Sequence, residues 1–203
     1  MVPGAVERDD VEEFEQLRAA FYALLSRALM APPTPDFIED LRQLQGDTSP
    51  LGQALRDWAV AASGDIDDLE DEYTKLFYGM GQGGEVLPYA SYYLTGMLMD
   101  RPLAELRTDM ARLGIAHGGI NSEPEDHIAL LLEMMQGLIV GRFGAGPLSL
   151  ADQRQFFHKH LVPWASDFFE DLEAADSARF YAVVARVGRA FLQVEEDAFQ
   201  MAA

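Results

Sequence analysis

The strongest constraint on the fold is that apolar residues recur at helical spacing in every periodic segment of the chain. Residues from about 9 to 30 show this clearly, because Phe14, Leu17 and Phe21 fall on one face of an α-helix. No convincing stretch alternates between apolar and polar residues, as a half-buried β-strand would. The pattern predicts an all-α protein of about eight to nine helices, forming a single globular domain across residues 1–203.

Helix boundaries are marked by N-cap residues, prolines and glycines. Thr34–Pro35 and Ser49–Pro50 each combine an N-cap residue with a proline suited to the first helical position. Segments rich in glycine or proline predict hinge-like loops at 79–88, 114–124 and 141–149. These loops divide the second half of the chain into separate helices.

Two predicted helices flank the segments that carry the most unusual chemistry. The predicted helix at 65–78 has one apolar stripe, and acids crowd its first two turns. Residues 124–141 form a strongly apolar helix that starts near Pro124. Acids in the first turns of a helix are favoured by its dipole. We therefore interpret the acidic cluster as an exposed helix start rather than as a metal site.

The charge balance restricts the partners of the protein. Lys and Arg total 15 against 34 Asp and Glu, which gives a formal net charge of −19. Such a surface repels nucleic acid and anionic membranes and attracts cationic partners over long range. Acidic charge that merely keeps the protein soluble is the simpler alternative.

Several classes of protein are disfavoured by what the sequence lacks. There is no cysteine, which excludes disulfides, thiolate metal sites and cysteine nucleophiles. No apolar run approaches the roughly 18–20 residues that span a bilayer, so we expect no stable membrane insertion. The N-terminus lacks a basic stretch followed by an apolar one, so no signal peptide is expected. These features together predict a cytoplasmic protein.

Catalytic motifs are missing as well. The sequence contains neither G-x-S-x-G nor H-E-x-x-H, and its glycine runs lack the Lys-Ser/Thr ending of a phosphate-binding loop. His158 and His160 are two positions apart on a predicted helix, so we expect one buried and one exposed histidine rather than a shared metal. The prediction is a protein that is not an enzyme and that needs no metal or cofactor.

Two short constellations are the candidates for a functional site. Glu123-Pro124-x-Asp126-His127 follows a glycine-rich loop and includes a titratable histidine, which suits a ligand-facing site. Read locally, the same residues are an ordinary helix start, in which Glu123 and His127 lie within reach of each other. The second constellation surrounds the glycine loop after residue 78 and could line a groove for an apolar peptide. Its members are Tyr73, Leu76, Phe77, Pro88, Tyr89, Ser91, Tyr92 and Tyr93.

These motifs, in this order and spacing, resemble the TorD/DmsD family of cytoplasmic chaperones for molybdopterin oxidoreductases. The similarity covers most of the chain after about residue 65. The matching segments are Tyr73-x-x-Leu76-Phe77, Pro88-Tyr89-x-Ser91, Arg101-Pro102-Leu103-x-x-Leu106, Glu123-Pro124-x-Asp126-His127 and Phe156-Phe157-x-x-His160-Leu161-x-Pro163-Trp164. Gly79-Met80 and Ala90 depart from the residues common in the best-known subgroups, and the stretch 87–96 is more similar to members associated with formate dehydrogenases.

The resemblance implies a helical chaperone that binds an apo molybdopterin oxidoreductase precursor, often at its twin-arginine signal peptide. Such a chaperone assists cofactor insertion and delays export of the client, which would be of the formate dehydrogenase or DMSO/TMAO reductase type. Carried over by motif, the client-binding region contains Tyr73, Leu76, Phe77, Pro88, Tyr89, Ser91, Glu123, Pro124, Asp126 and His127.

Two other functions stay open at this stage. One is an adaptor that docks a mature cytoplasmic partner enzyme. The other is a small hydrolase that uses Asp126 and His127 as an acid–base pair. The oligomeric state is also open between a monomer and a domain-swapped dimer, because the long loops at 114–124 and 141–147 would permit helix exchange.

Overall fold

The computed structural model describes residues 8–79, 83–116, 123–144 and 146–202. Within these ranges the regular structure is helical apart from one isolated β-bridge, which confirms the all-α class. The elements are α1 (Arg8–Met30), α2 (Pro35–Arg42), α3 (Pro50–Ala61), α4 (Ile66–Tyr73), a π-helical turn (Thr74–Tyr78), α5 (Ala90–Thr95), α6 (Arg101–Leu113), α7 (Ile128–Val140), α8 (Leu150–His160), α9 (Ala165–Ala174) and α10 (Phe180–Met201).

The predicted start signals are confirmed by the cap geometry. The hydroxyl of Thr34 accepts a hydrogen bond from the backbone N–H of Phe37, and the hydroxyl of Ser49 accepts one from Gly52. In each case the cap satisfies an N–H that the helix itself leaves without a partner.

The described helices number ten, one more than the upper count expected from the sequence. The additional helix is α5, which follows the predicted loop at 79–88 and lies in a stretch for which the sequence pattern predicted no helix. Helix α7 also begins at Ile128 and not near Pro124, because His127 is its N-cap. All three predicted hinge-like loops include residues outside the described ranges, at 80–82, 117–122 and 145. Residues 1–7 and residue 203 lie outside these ranges too.

Helix α7 lies at the centre of the packing. It packs along α1, while α10 packs against α3 and α9. Nine of the residues of α7 are buried, so its apolar character reflects burial on most of its surface. The buried apolar side chains form one connected core, in which the largest fully buried ones are Trp58, Trp164, Tyr22, Tyr73 and Tyr181.

A buried polar network ties the first helix to the last. The Arg18 side chain donates to both oxygens of Glu195, at 2.7 and 2.8 Å, and Tyr22 Oη donates to Glu195 Oε2 at 2.8 Å. Burial together with the bond to Glu195 raises the pKa of Tyr22 well above its ordinary value, so its hydroxyl keeps its proton. A buried charge whose partner forms good hydrogen bonds is tolerated in a core.

Helix α10 receives its N-terminal cap from a different helix. Its own cap residue, Arg179, makes no side-chain cap bond. Instead, the buried carboxylate of Glu72 in α4 accepts from the backbone N–H groups of Arg179 at 2.9 Å, Phe180 at 3.2 Å and Tyr181 at 2.7 Å. This arrangement joins α4 to the start of α10, where the helix dipole favours negative charge.

Candidate functional site

The two constellations singled out by the sequence adjoin where the segment before α5 meets the segment before α7. The backbone N–H of Ile128 donates to Pro88 O at 2.8 Å, and the N–H of Ala90 donates to Asp126 O at 3.0 Å. These bonds flank an antiparallel bridge between Tyr89 and His127. Residues that are far apart in the sequence are therefore held side by side by backbone hydrogen bonds.

Asp126 caps helix α5 from outside that helix. The cap residue of α5, Tyr89, makes no side-chain cap bond, and Asp126 Oδ2 accepts from the N–H of Ser91 at 2.8 Å. The Asp126 side chain is only 1% exposed. In the part of the chain that the structure describes, its other oxygen, Oδ1, is buried and has no hydrogen-bond partner. An unsatisfied buried acceptor is costly and calls for an explanation.

His127 is buried and neutral. Its Nδ1 accepts from the N–H of Ala129 at 3.1 Å, which caps α7. Burial lowers the pKa of His127 to about 4, so at neutral pH the ring carries its proton on Nε2, because Nδ1 acts as the acceptor. The expected contact with Glu123 is replaced by an edge-on contact with the ring of Tyr89, at 5.2 Å between centroids.

Tyr89 and Glu123 form the partly exposed portion of the junction at which the segments before α5 and α7 meet. The Tyr89 hydroxyl donates to Glu123 Oε2 in a short hydrogen bond. Burial and this bond raise the pKa of Tyr89 above its usual value, so the hydroxyl remains a donor. Both side chains keep some solvent access, which leaves them able to contact a bound partner.

The candidate residues in and next to the π-helical turn lie mostly in the hydrophobic core. Tyr73 is 2% exposed, donates to Leu29 O at 3.3 Å, and packs against Phe77 and Tyr181 with centroids 4.8 and 5.6 Å apart. Burial raises the pKa of Tyr73, and the neighbouring Tyr78, Glu123 and Tyr89 raise it further, so this cluster adjoins the junction.

The candidate residues from the sequence therefore divide into two groups. Those that are buried are Tyr73, Leu76, Pro88, Ser91, Asp126 and His127, and those that keep partial exposure are Phe77, Tyr89, Glu123 and Pro124. The buried group shapes the junction, and only the second group is available for direct contact. The predicted groove tyrosine Tyr93 is half-buried, packs on Trp164 at 5.4 Å, and donates to Asp171 at 2.9 Å.

The sequence reasoning missed an apolar surface beside the junction. Met97, Leu98 and Met99 are 61%, 46% and 70% exposed, directly after helix α5. Next to them lies a groove of about 490 Å³ between α6 and α7. The run Met-Leu-Met directly after Gly96 was the available signal, because several large apolar residues in a segment with no helical period lack a core to enter.

A smaller cavity of about 190 Å³ touches Asp126 from the side of α6 and α8. Lys159 and His160 line this cavity and both bind Asp109, which accepts from Lys159 at 2.5 Å and contacts His160 Nε2 at 2.9 Å. Burial by itself would raise the pKa of Asp109, but the bonds from Lys159 and His160 outweigh it and lower that pKa. The prediction of one buried and one exposed histidine is confirmed, since His160 is buried and His158 is exposed.

Two kinds of feature are absent from the described residues. Across residues 8–79, 83–116, 123–144 and 146–202, no three His, Asp or Glu side chains are grouped so as to hold a metal ion. Over those ranges, too, no helix combines the length and the apolar character needed to cross a membrane.

Comparisons of sequence and of fold with known proteins all find chaperones or maturation proteins of redox enzymes, or a family of redox-enzyme subunits. A family model described as nitrate reductase delta subunit matches residues 40–170. The chain is 28% identical over 209 residues to a protein named chaperone TorD from Vibrio atlanticus, covering 92% of this chain and 96% of that one. It is 33% identical to a TorD chaperone of Vibrio cholerae over 64% of this chain and 61% of that one. Its fold matches a candidate redox enzyme maturation protein from Archaeoglobus fulgidus with a TM-score of 0.57, at 22% identity, over 95% of this chain and 98% of that chain.

Proposed function

The chain belongs to the nitrate reductase delta subunit family, and from this premise we propose that it is a cytoplasmic chaperone that binds the apo form of a molybdopterin oxidoreductase before that enzyme is complete. It is a TorD-like redox enzyme maturation protein and not an enzyme, as its relatives named as chaperones indicate. The client, of the formate dehydrogenase or DMSO/TMAO reductase type, is bound at least in part through its twin-arginine signal peptide, which delays its export until the cofactor is in place.

The observation that carries the proposal is the junction of Tyr89, Glu123 and His127. A neutral imidazole holds the Tyr89 ring from one side, and Glu123 accepts its hydroxyl on the other. The result is an aromatic face next to a carboxylate, with an apolar surface beside it. An aromatic face and a carboxylate suit a peptide that has a cationic residue next to apolar ones. The net charge of −19 attracts such a peptide over long range.

The same geometry argues against an acid–base hydrolase. Asp126 directs Oδ2 to the backbone of Ser91, and the Nδ1 atom of His127 is engaged by Ala129. The two side chains therefore serve separate helix starts, and both are nearly inaccessible to a substrate.

The test is calorimetric binding of the purified protein to the twin-arginine signal peptide of a molybdoenzyme encoded beside it. We expect a micromolar or tighter complex. Tyr89→Phe removes the donor of the bond between the two partly exposed side chains, and Glu123→Gln removes the negative charge of its acceptor. Each change should weaken binding about fivefold. Tyr93→Phe is the matched control, because its hydroxyl serves Asp171 instead. Equal affinities for the unaltered protein and the three variants would show that the Tyr89–Glu123 pair is not part of the binding site.

A second experiment separates the chaperone from an adaptor for a mature enzyme. The protein is used to capture its client from cells with and without molybdenum cofactor synthesis. A chaperone retains the apo client and releases the completed enzyme, whereas an adaptor retains the completed enzyme. Preferential capture of the completed enzyme would overturn the proposal.

A further inference from the structure

The groove between α6 and α7 has an apolar floor and a charged rim. The floor is made by methionines and other apolar side chains from the two helices and their flanking segments, and Phe143 forms a wall. The floor residues are Met99, Met110, Ile115, Leu130 and Met134. Methionine is flexible and polarizable, so such a floor adapts to apolar side chains of different shape. The groove is therefore suited to a chemical class of ligand rather than to one exact shape.

The most exposed part of this floor is positioned by the buried motif residues. Met99 adopts a left-handed backbone conformation with φ of 57°, which is uncommon for a residue other than glycine. Its N–H donates to Ser91 Oγ at 3.1 Å, and the N–H of Ser91 donates to Asp126. Asp126 thus acts through Ser91 to hold Met99, whose side chain remains 70% exposed at the edge of the groove.

The far wall of the groove is the Phe143 ring, which lies directly on helix α7. A Cβ atom at Gly137 would stand 2.3 Å from this ring, so the close approach requires glycine at that position. Gly141 ends α7 in a left-handed conformation and turns the chain back, which brings Phe143 over the helix. The wall is therefore built into the end of α7.

The rim carries ion pairs that face solvent. Arg107 donates to Glu125 Oε2 at 2.9 and 2.7 Å, and Arg142 donates to Glu133 Oε1 at 2.9 Å. Glu123, on the same rim, connects the groove to Tyr89. Among the described residues, the rim thus presents three carboxylates against two guanidinium groups, and both arginines are about half exposed. Ion pairs whose cation is this exposed contribute little to stability.

We propose that this groove binds the apolar segment of the client peptide, with the cationic residues of that peptide at the Glu123 and Glu125 end. The inference rests on the proposed function and names the part of the surface that the peptide occupies. Charge selects the occupant: a second copy of this chain also carries −19 and would be repelled, whereas a peptide with cationic flanks is attracted.

The experiment uses a fluorescent peptide with two adjacent arginines followed by a run of leucine and alanine, titrated by anisotropy. Met99→Gln keeps the size and charge of the side chain but removes its apolar character, and it should weaken binding about tenfold. Because Met99 is exposed, this change leaves folding intact. Met201→Gln is the matched control, since Met201 is 84% exposed and does not line the groove.

A second probe locates the peptide directly. A photo-crosslinker placed in its apolar run should attach to Met99, Leu130 or Phe143, and one placed beside the arginines should attach near Glu123. Equal affinity of Met99→Gln and the unaltered protein, or crosslinks confined to α1 and α10, would overturn the groove assignment while leaving the chaperone proposal standing. No binding by the unaltered protein would overturn the groove assignment and the signal-peptide part of the proposal, and capture of the apo client would then decide the rest separately.

Discussion

Two buried carboxylates, Glu72 and Asp126, each cap a helix to which they do not belong. Glu72 uses both of its oxygens and receives three backbone N–H groups at the start of α10. Asp126 receives one N–H, from Ser91, at the start of α5, and its second oxygen has no partner among the described residues. The hydrogen bonding of the capping carboxylate is thus complete at the start of α10 and incomplete at the start of α5.

This difference indicates that the Glu72 cap serves the stability of the fold, whereas the Asp126 cap belongs to the candidate functional site. A fully satisfied carboxylate lowers the free energy of the folded state, whereas an unpaired buried oxygen raises it. Asp126 lines the smaller cavity, and Ser91, which donates its N–H to Asp126, accepts the N–H of Met99. One unfavourable term in the fold is therefore located at the candidate site, as is common where function and stability compete.

The largest expected effect is at Glu72. Replacement by Ala in Glu72→Ala leaves three N–H groups of α10 without their acceptor, and we expect a loss of about 4 kcal/mol in the free energy of unfolding. Urea unfolding followed by circular dichroism measures it. Glu70→Ala is the control, because Glu70 lies on the same helix and is exposed. Equal losses in the two variants would mean that the cap has no structural role.

The next effect is a dependence on pH at His127. Its pKa falls from 6.5 to about 4 in the folded protein, so between these values the unfolded chain binds more protons than the folded one. The free energy of unfolding therefore falls as the pH falls from 6.5 to 4, by about 3 kcal/mol from this residue.

The variant His127→Asn isolates that contribution. Asparagine keeps an acceptor at the N-cap of α7 but does not titrate in this range. The carboxylates titrate in both proteins, so the difference between the two stability curves reports His127. Parallel curves from pH 7 to pH 4 would contradict a buried neutral imidazole.

Asp126→Ala tests the difference between the two capping carboxylates. It should lower the free energy of unfolding by much less than Glu72→Ala does. The variant loses one bond to Ser91 but also removes an unpaired buried oxygen, so we expect a loss of about 1 kcal/mol by urea unfolding. Because Met99 depends on Ser91, peptide affinity should fall in this variant by more than its stability loss suggests. A stability loss equal to that of Glu72→Ala would show that Asp126 is fully satisfied in solution.

The helices could be predicted from the sequence because their signals are local. Apolar spacing and capping residues such as Thr34 and Ser49 act within a few positions, and the structure confirms them. Helix α5 was missed because its N-terminus is capped by Asp126 from a distant segment, so no local start signal exists. The start of α7 was placed too early for a related reason, since Pro124 is typical of a helix start but His127 is the cap.

The site could be predicted only as a set of motif residues. Their resemblance to a family indicated which residues belong together, and the structure brings Tyr89, Glu123 and His127 into contact. Exposure was beyond the reach of the sequence, because the burial of Tyr73 and Ser91 depends on packing between distant segments. The groove was missed for the same reason, since its floor is assembled from segments on both sides of the junction.

The smallest expected change in stability is at Arg107, on the rim of the groove. Arg107, which pairs with Glu125, is itself about half exposed, so Arg107→Gln should change the free energy of unfolding by no more than about 0.5 kcal/mol. Its effect on peptide affinity should be opposite in sign to that of Met99→Gln and Asp126→Ala, which are expected to weaken binding. If Arg107 and the cationic end of the peptide compete for Glu125, the variant should bind the peptide about threefold more tightly at low salt. Arg101→Gln is the control, because it removes the same charge from the same helix but its partner is Glu105, outside the groove. Equal tightening in both variants would attribute the gain to the overall charge of the protein, and tightening in Arg107→Gln alone would place the cationic end of the peptide at Glu125.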